Sequence, residues 1–170
     1  MNDVRGYLAS PSEKADEFWE SDDLIWIDWR EEDESIIEYF NDKLPDAEKI
    51  KFRCVEVDKE RGVDIFLEKD GEEKAIPYSD ECTDRDSTIK SIAGHVSPGM
   101  QIRWFMGSLG GDTLAFCIAS TDEWRRLEEE FGREKTAFYF SPVCSDSVMF
   151  DMSAGEVFKL MEEREKGGVI

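Results

Sequence analysis

The sequence predicts an α+β fold: a single domain spanning 1–170, with a mainly antiparallel sheet covered by helices. Three observations lead there. A chain of 170 residues has the length of one ordinary domain with one main core. Apolar runs of strand length are joined by hairpin turn signals, which makes neighbouring strands antiparallel. Stripes at helical spacing open on N-terminal capping signals, so helices alternate with the hairpins and pack mainly on one sheet face. Connections are short, and no internal repeat aligns.

Taken in order, Ser10-Pro11-Ser12-Glu13 offers an N-cap, a proline at the first helical position and a capping-box glutamate. The helix after it turns Ala15, Phe18 and Trp19 inward. Leu24 to Trp29 is a strand apolar on both faces, either central in a sheet or half-covered by a partner. A helix over 31–44 carries the stripe Ile36, Ile37, Phe40 and Leu44. Glu31, Glu32, Asp33 and Glu34 fill its first turn, where acids suit the positive end of the helix dipole. Strands follow at Ile50–Val57, Val63–Glu68 and Glu73–Tyr78, the last two joined at Asp70-Gly71. Asp84 or Asp86 caps a helix bearing Ile89, Ile92, Ala93 and Val96, stopped by Pro98-Gly99.

A second hairpin joins Met100–Gly107 to Asp112–Ala119 through Gly110-Gly111. Ser120-Thr121-Asp122-Glu123 is a capping box for a helix with Trp124, Leu127 and Phe131 inward, ended by Gly132. Thr136–Val143 reads as a strand. Ser153 to Glu156 is another capping box, opening a last helix with Val157, Leu160 and Met161 inward.

Charge excludes several functions. With 21 Lys and Arg against 41 Asp and Glu, the net charge is −20. Nucleic-acid binding by phosphate neutralisation needs surplus cations, and so does electrostatic attachment to an anionic membrane. Neither is expected. No stretch approaches a membrane span or a signal-peptide core, so a cytoplasmic location is expected. Cys54, Cys82, Cys117 and Cys144 lack metal or redox spacing and read as reduced thiols, Cys54 and Cys117 in the core.

The chemistry-bearing residue types have plain structural readings. Gly107 to Thr113 lacks the lysine of a phosphate loop and joins strand to strand, so it is a hairpin turn. His95 sits at a helix end, where it complements the dipole. Asp84 and Asp86 have the spacing to hold a divalent cation but are better explained by capping. Glu128-Glu129-Glu130 is the solvated face of its helix. No cofactor and no metal site are expected.

One segment stands out. Glu13 to Glu38 holds twelve acids against Lys14 and Arg30, a net −10, and three of the five tryptophans. Such concentration of like charge destabilises a compact chain, and solubility needs less of it. Acids steer a basic partner and aromatics anchor it. The expected partner surface is Asp16, Glu17, Glu20, Asp22, Asp23, Trp26, Asp28, Trp29, Glu31, Glu32, Asp33 and Glu34.

The expected function is therefore an acidic cytoplasmic inhibitor of a basic protein, such as an immunity protein against a nuclease toxin. An enzyme of unread chemistry is the alternative, with Arg125, Arg126 and Arg133 as its basic cluster, or else an adaptor domain of a larger complex. A concave pocket with convergent polar groups would favour the enzyme.

Overall fold

The computed structural model describes residues 1–79, 81–82 and 84–167. In chain order its elements are α1 (Asn2–Ala9), α2 (Pro11–Trp19), β1 (Ile25–Asp28), α3 (Asp33–Lys43), β2 (Lys51–Glu56), β3 (Val63–Lys69), β4 (Glu72–Ala75) and α4 (Arg85–Val96). Then come β5 (Met100–Phe105), β6 (Thr113–Ser120), α5 (Thr121–Phe131), α6 (Arg133–Tyr139), β7 (Phe140–Pro142) and α7 (Ala154–Lys166). Both sheets are antiparallel: β1-β6-β5-β7 and the meander β2-β3-β4. The fold is α+β, as the patterning predicts, with the strands divided between two sheets.

Strand β6 shows how the four-stranded sheet is covered. Leu114, Phe116 and Ile118 face one side, and Ala115, Cys117 and Ala119 the other. The small side leaves room for large rings, and Tyr7, Phe18, Phe105, Trp124 and Phe140 fill it. Their centroids lie close, at 4.7 Å for Tyr7–Phe18 and 5.0 Å for Phe18–Phe105, spacings at which aromatic pairs attract. Residues of α1, α2 and α5 and the α6–β7 junction complete this layer. The large side packs against Ile36, Ile37 and Phe40 of α3 and Ile89 and Ile92 of α4. Ile50, Ile65, Leu67 and Ile76 of the three-stranded sheet belong to the same cluster. Helices therefore cover both faces, not mainly one, because β6 is apolar on both and each face needs its own cover.

Several local signals act as expected. Ser120 and Ser153 form reciprocal capping boxes, and Asp84 accepts from the Ser87 amide at 3.1 Å. Asp70 and Gly71 both have positive φ, 54° and 81°, the backbone an Asp-Gly hairpin turn requires. Other readings are corrected. Ser10 makes no side-chain cap, although Pro11 starts α2. Helix α1 lies in a segment that periodicity left unassigned. The first half of Thr136–Val143 is helical: Gly132, at φ 89°, ends α5 and α6 starts at once, leaving Phe140–Pro142 as strand. Thr136 donates back to the Gly132 carbonyl at 2.9 Å, so a β-branched residue serves a helix. Trp19 is exposed, Phe131 only partly buried, and Cys54 exposed. Helix α7 buries none of its residues; its inward stripe settles for partial cover, with Leu160 against the core and Met161 exposed.

Candidate functional site

The acidic segment does not form one continuous surface, because β1 runs through its middle and separates its ends. Before the strand, α2 buries Phe18 and presents Asp16, Glu17, Glu20 and Trp19 to solvent; Asp22 in the turn is exposed too. Asp16 and Trp19 are three apart on one helix face. Trp19 stacks on Trp26 of β1 with centroids 5.0 Å apart and planes 28° from parallel. Alternation turns Trp26 away from Ile25 and Ile27, which are in the core, towards the α2 side. The result is a two-indole platform with Trp19 44% exposed. Acids flank it in the chain. Glu17 is paired to Lys14 at 2.6 Å, and Asp16, Glu20 and Asp22 have no cation partner among the described residues.

Asp23 does another job. Its carboxylate accepts from the chain amino terminus at 2.8 Å and from the Asp3 and Val4 amides at 3.1 and 3.3 Å, so it caps α1. Asp28, at the far end of β1, accepts from the Arg30 amide at 2.8 Å and shapes the turn. Trp29 is 51% exposed with the Arg30 guanidinium 4.7 Å from its ring centroid. Glu31 accepts from the Tyr39 hydroxyl, its carbonyl accepts from Arg85, and Glu32 is exposed. Asp33 is 1% exposed and belongs to the interior. Partial desolvation, and then Glu34 beside it, pushes the Cys54 thiol's pKa up. The platform therefore comprises Trp19 and Trp26 with Asp16 on the Trp19 face of α2 and the exposed Glu20 and Asp22 next in the chain, while Glu17 lies on the α1 side. Trp19 was missed because its helical position resembles a core stripe; nothing in the sequence says which side of α2 is covered.

The other candidate residues fall into place around the sheet. Ser108 is buried in the Gly107–Thr113 turn, where its hydroxyl donates to the Phe105 carbonyl and accepts from Trp104 Nε1 and the Ala115 amide. This is hairpin architecture. Both carboxylate oxygens of Asp86 accept backbone amides, Met149 at 2.8 Å and Phe150 at 2.9 Å, tying the C-terminal segment to α4. The Glu128–Glu130 run is more than a solvated face. Glu128 reaches inward to the buried Arg103 at 2.6 Å, Glu129 lies 3.9 Å from Arg125, and Glu130 pairs with Arg5. Arg125 also pairs with Asp122. The arginines on α5 are thus engaged in helix-surface pairing or exposed.

A recess of about 650 Å³ lies between the β3–β4 hairpin and α4. It gathers Lys69, Lys74 and Lys90, cations from distant parts of the sequence, with His95 and the hydroxyls of Ser87, Ser91 and Ser145. Much of this polarity is committed to structure. Lys69 donates to the His95 and Ser97 carbonyls at the end of α4, and Ser87 to Asp84. Burial, then Lys69, lowers the His95 pKa, so the ring is neutral at pH 7. Its imidazole has no hydrogen-bond partner among the described residues. Among the described residues no group of three His, Cys, Asp or Glu could hold a metal ion, and no helix is long and apolar enough to cross a membrane.

The chain matches no family model, no curated protein and no solved structure. The site must be read from its own geometry.

Proposed function

We propose that the protein binds and neutralises a basic protein partner, as an immunity protein does with a nuclease toxin in the cytoplasm. One observation carries the reading: the stacked Trp19–Trp26 pair, with Trp19 exposed, on the stretch that carries the exposed acids Asp16, Glu17, Glu20 and Asp22. A large flat apolar surface inside an acidic field has the make-up of an interface anchor. The field speeds encounter with a cationic partner, and the indoles slow its departure. An enzyme that grips phosphates presents a basic cleft, and this face complements it.

The test is capture from the native cell extract, followed by kinetics with the purified partner. Raising salt should lower the association rate steeply and alter dissociation less. Changing Asp16 and Asp22 to Asn and Glu17 to Gln should weaken association. Trp19→Ala should speed dissociation about 30-fold or more, the effect of an interface hot spot. Unchanged affinity in both variants, with melting temperatures intact, overturns the proposal. The enzyme alternative has the recess beside α4 in its favour, where Lys69, Lys74 and Lys90 stand with Asp70 and Glu72, a mixed lining that selects no substrate charge. Adaptor function has no feature of its own.

A further inference from the structure

The register of β1 on β6 fixes which way each backbone group of β1 points. Ile25 lies opposite Phe116, Trp26 opposite Ala115, Ile27 opposite Leu114 and Asp28 opposite Thr113. One residue beyond, the Trp29 amide donates to the Asp112 carbonyl at 3.1 Å. In an antiparallel pair, hydrogen-bonded and non-hydrogen-bonded residues alternate. Trp29, Ile27 and Ile25 are therefore the residues bonded to β6. Trp26 and Asp28 turn their N–H groups, and Trp26 its C=O, away from it. Ala115 confirms this phase: its amide also points away from β1 and donates to Ser108 Oγ at 2.9 Å on the β5 side.

Among the described residues no strand pairs on that outer side, because β1 is the end of the order β1-β6-β5-β7. The neighbouring outward groups are already used, the Leu24 amide by the Ser21 carbonyl and the Asp28 carbonyl by the Glu31 amide. The outer side thus offers Trp26 N–H, Trp26 C=O and Asp28 N–H in strand phase. They lie beside the indole platform.

We infer that the outer edge of β1 receives an extended, lysine- or arginine-rich segment of the partner by strand addition. This inference rests on the proposed basic partner and specifies its mode of binding. Main-chain bonds to an exposed edge provide affinity, and alternate side chains provide specificity. On the Trp26 face, a cation of the added strand meets the acids of α2 and stacks on an indole. Charge selects this occupant over a second copy, since pairing two β1 edges would bring two segments of net −10 together.

The probe is an eight-residue peptide alternating lysine and valine. Its control is the same peptide methylated at every backbone nitrogen, with equal charge and no main-chain donor on either edge. The alternating lysine–valine peptide should bind at low salt and slow hydrogen exchange about tenfold at the Trp26 and Asp28 amides, and not at Ile27, whose amide already faces β6. Asp28→Pro removes one outward N–H without touching the β6 ladder, and Asp28→Ala removes the same carboxylate while keeping that N–H. The proline variant should bind the peptide about tenfold more weakly than the alanine variant, the effect of one hydrogen bond left unmade.

Equal binding of the two peptides, with Trp26 and Asp28 amides exchanging at their free rates, means the peptide is held by charge alone. That overturns strand addition and leaves the acidic-face reading standing. Amide protection that survives neutralising Asp16, Glu17 and Asp22 supports the edge and overturns the acidic face. Protection of both amides without peptide, in a concentration-dependent dimer, overturns the choice of occupant. Failure of the lysine–valine peptide to bind overturns the inference outright.

Discussion

Replacing Trp124 with alanine tests the aromatic layer that holds α5 to the sheet. The side chain is fully buried, its Nε1 donates to the Gln101 carbonyl at 3.0 Å, and its ring lies 5.7 Å from Phe140. The Arg103 guanidinium sits 4.5 Å from the ring centroid. Truncating a buried tryptophan costs about 3–5 kcal/mol through lost transfer energy and the cavity left behind. The Gln101 carbonyl loses one of two donors and keeps the Ala119 amide opposite it on β6, so the lost hydrogen bond adds about 1 kcal/mol. The upper end, about 5 kcal/mol, is therefore expected. For a domain of this size that is a drop of roughly 10–20 °C in melting temperature. Urea unfolding followed by far-ultraviolet circular dichroism should show a lower midpoint at unchanged slope. Trp124→Phe refills most of the volume but not the donor, and about 2 kcal/mol is expected. A loss below about 1 kcal/mol for the alanine variant would refute the packing argument, since no core tryptophan is so dispensable.

Glu128→Gln should destabilise by about 3 kcal/mol, because it leaves the buried Arg103 charge without its carboxylate, and a urea midpoint near wild type would show the pair to be dispensable. Alkylation of the folded protein should modify Cys54 and Cys144 while sparing Cys117, which is buried and whose thiol pKa is raised by burial; early labelling of Cys117 would contradict its placement. The Cys54 rate should rise at a higher pH in the folded protein than in urea, because burial and Glu34 raise its pKa. His95 has a folded pKa below its unfolded value, so the unfolded chain takes up the proton first and stability falls as pH drops through about 6.5. A His95→Asn variant should lose less stability between about pH 7.5 and 5.5 than wild type, and an equal loss would show that His95 is not responsible.

Local signals settled much of the architecture. Capping boxes at Ser120 and Ser153, the Asp70-Gly71 turn and the stripe Ile36, Ile37 and Phe40 act within a few residues, so the sequence alone determined those elements and the α+β class. Charge is equally local to read, and the −10 of Glu13–Glu38 needs no coordinates. What the charges do depended on neighbours distant in the chain. Asp23 caps α1, Asp33 is buried and Glu128 serves Arg103, while Trp19 and Trp26 meet across two elements to make the platform. The same holds for the strand-like run Thr136–Val143, whose first half is helix while Phe140–Pro142 pairs with β5, and for β1. Its two-sided apolarity left a central and an edge position equally open. Only the pairing of β6 with β5 on one side and β1 on the other made it an edge, because a strand's place in a sheet is set by long-range hydrogen bonds that no local pattern encodes.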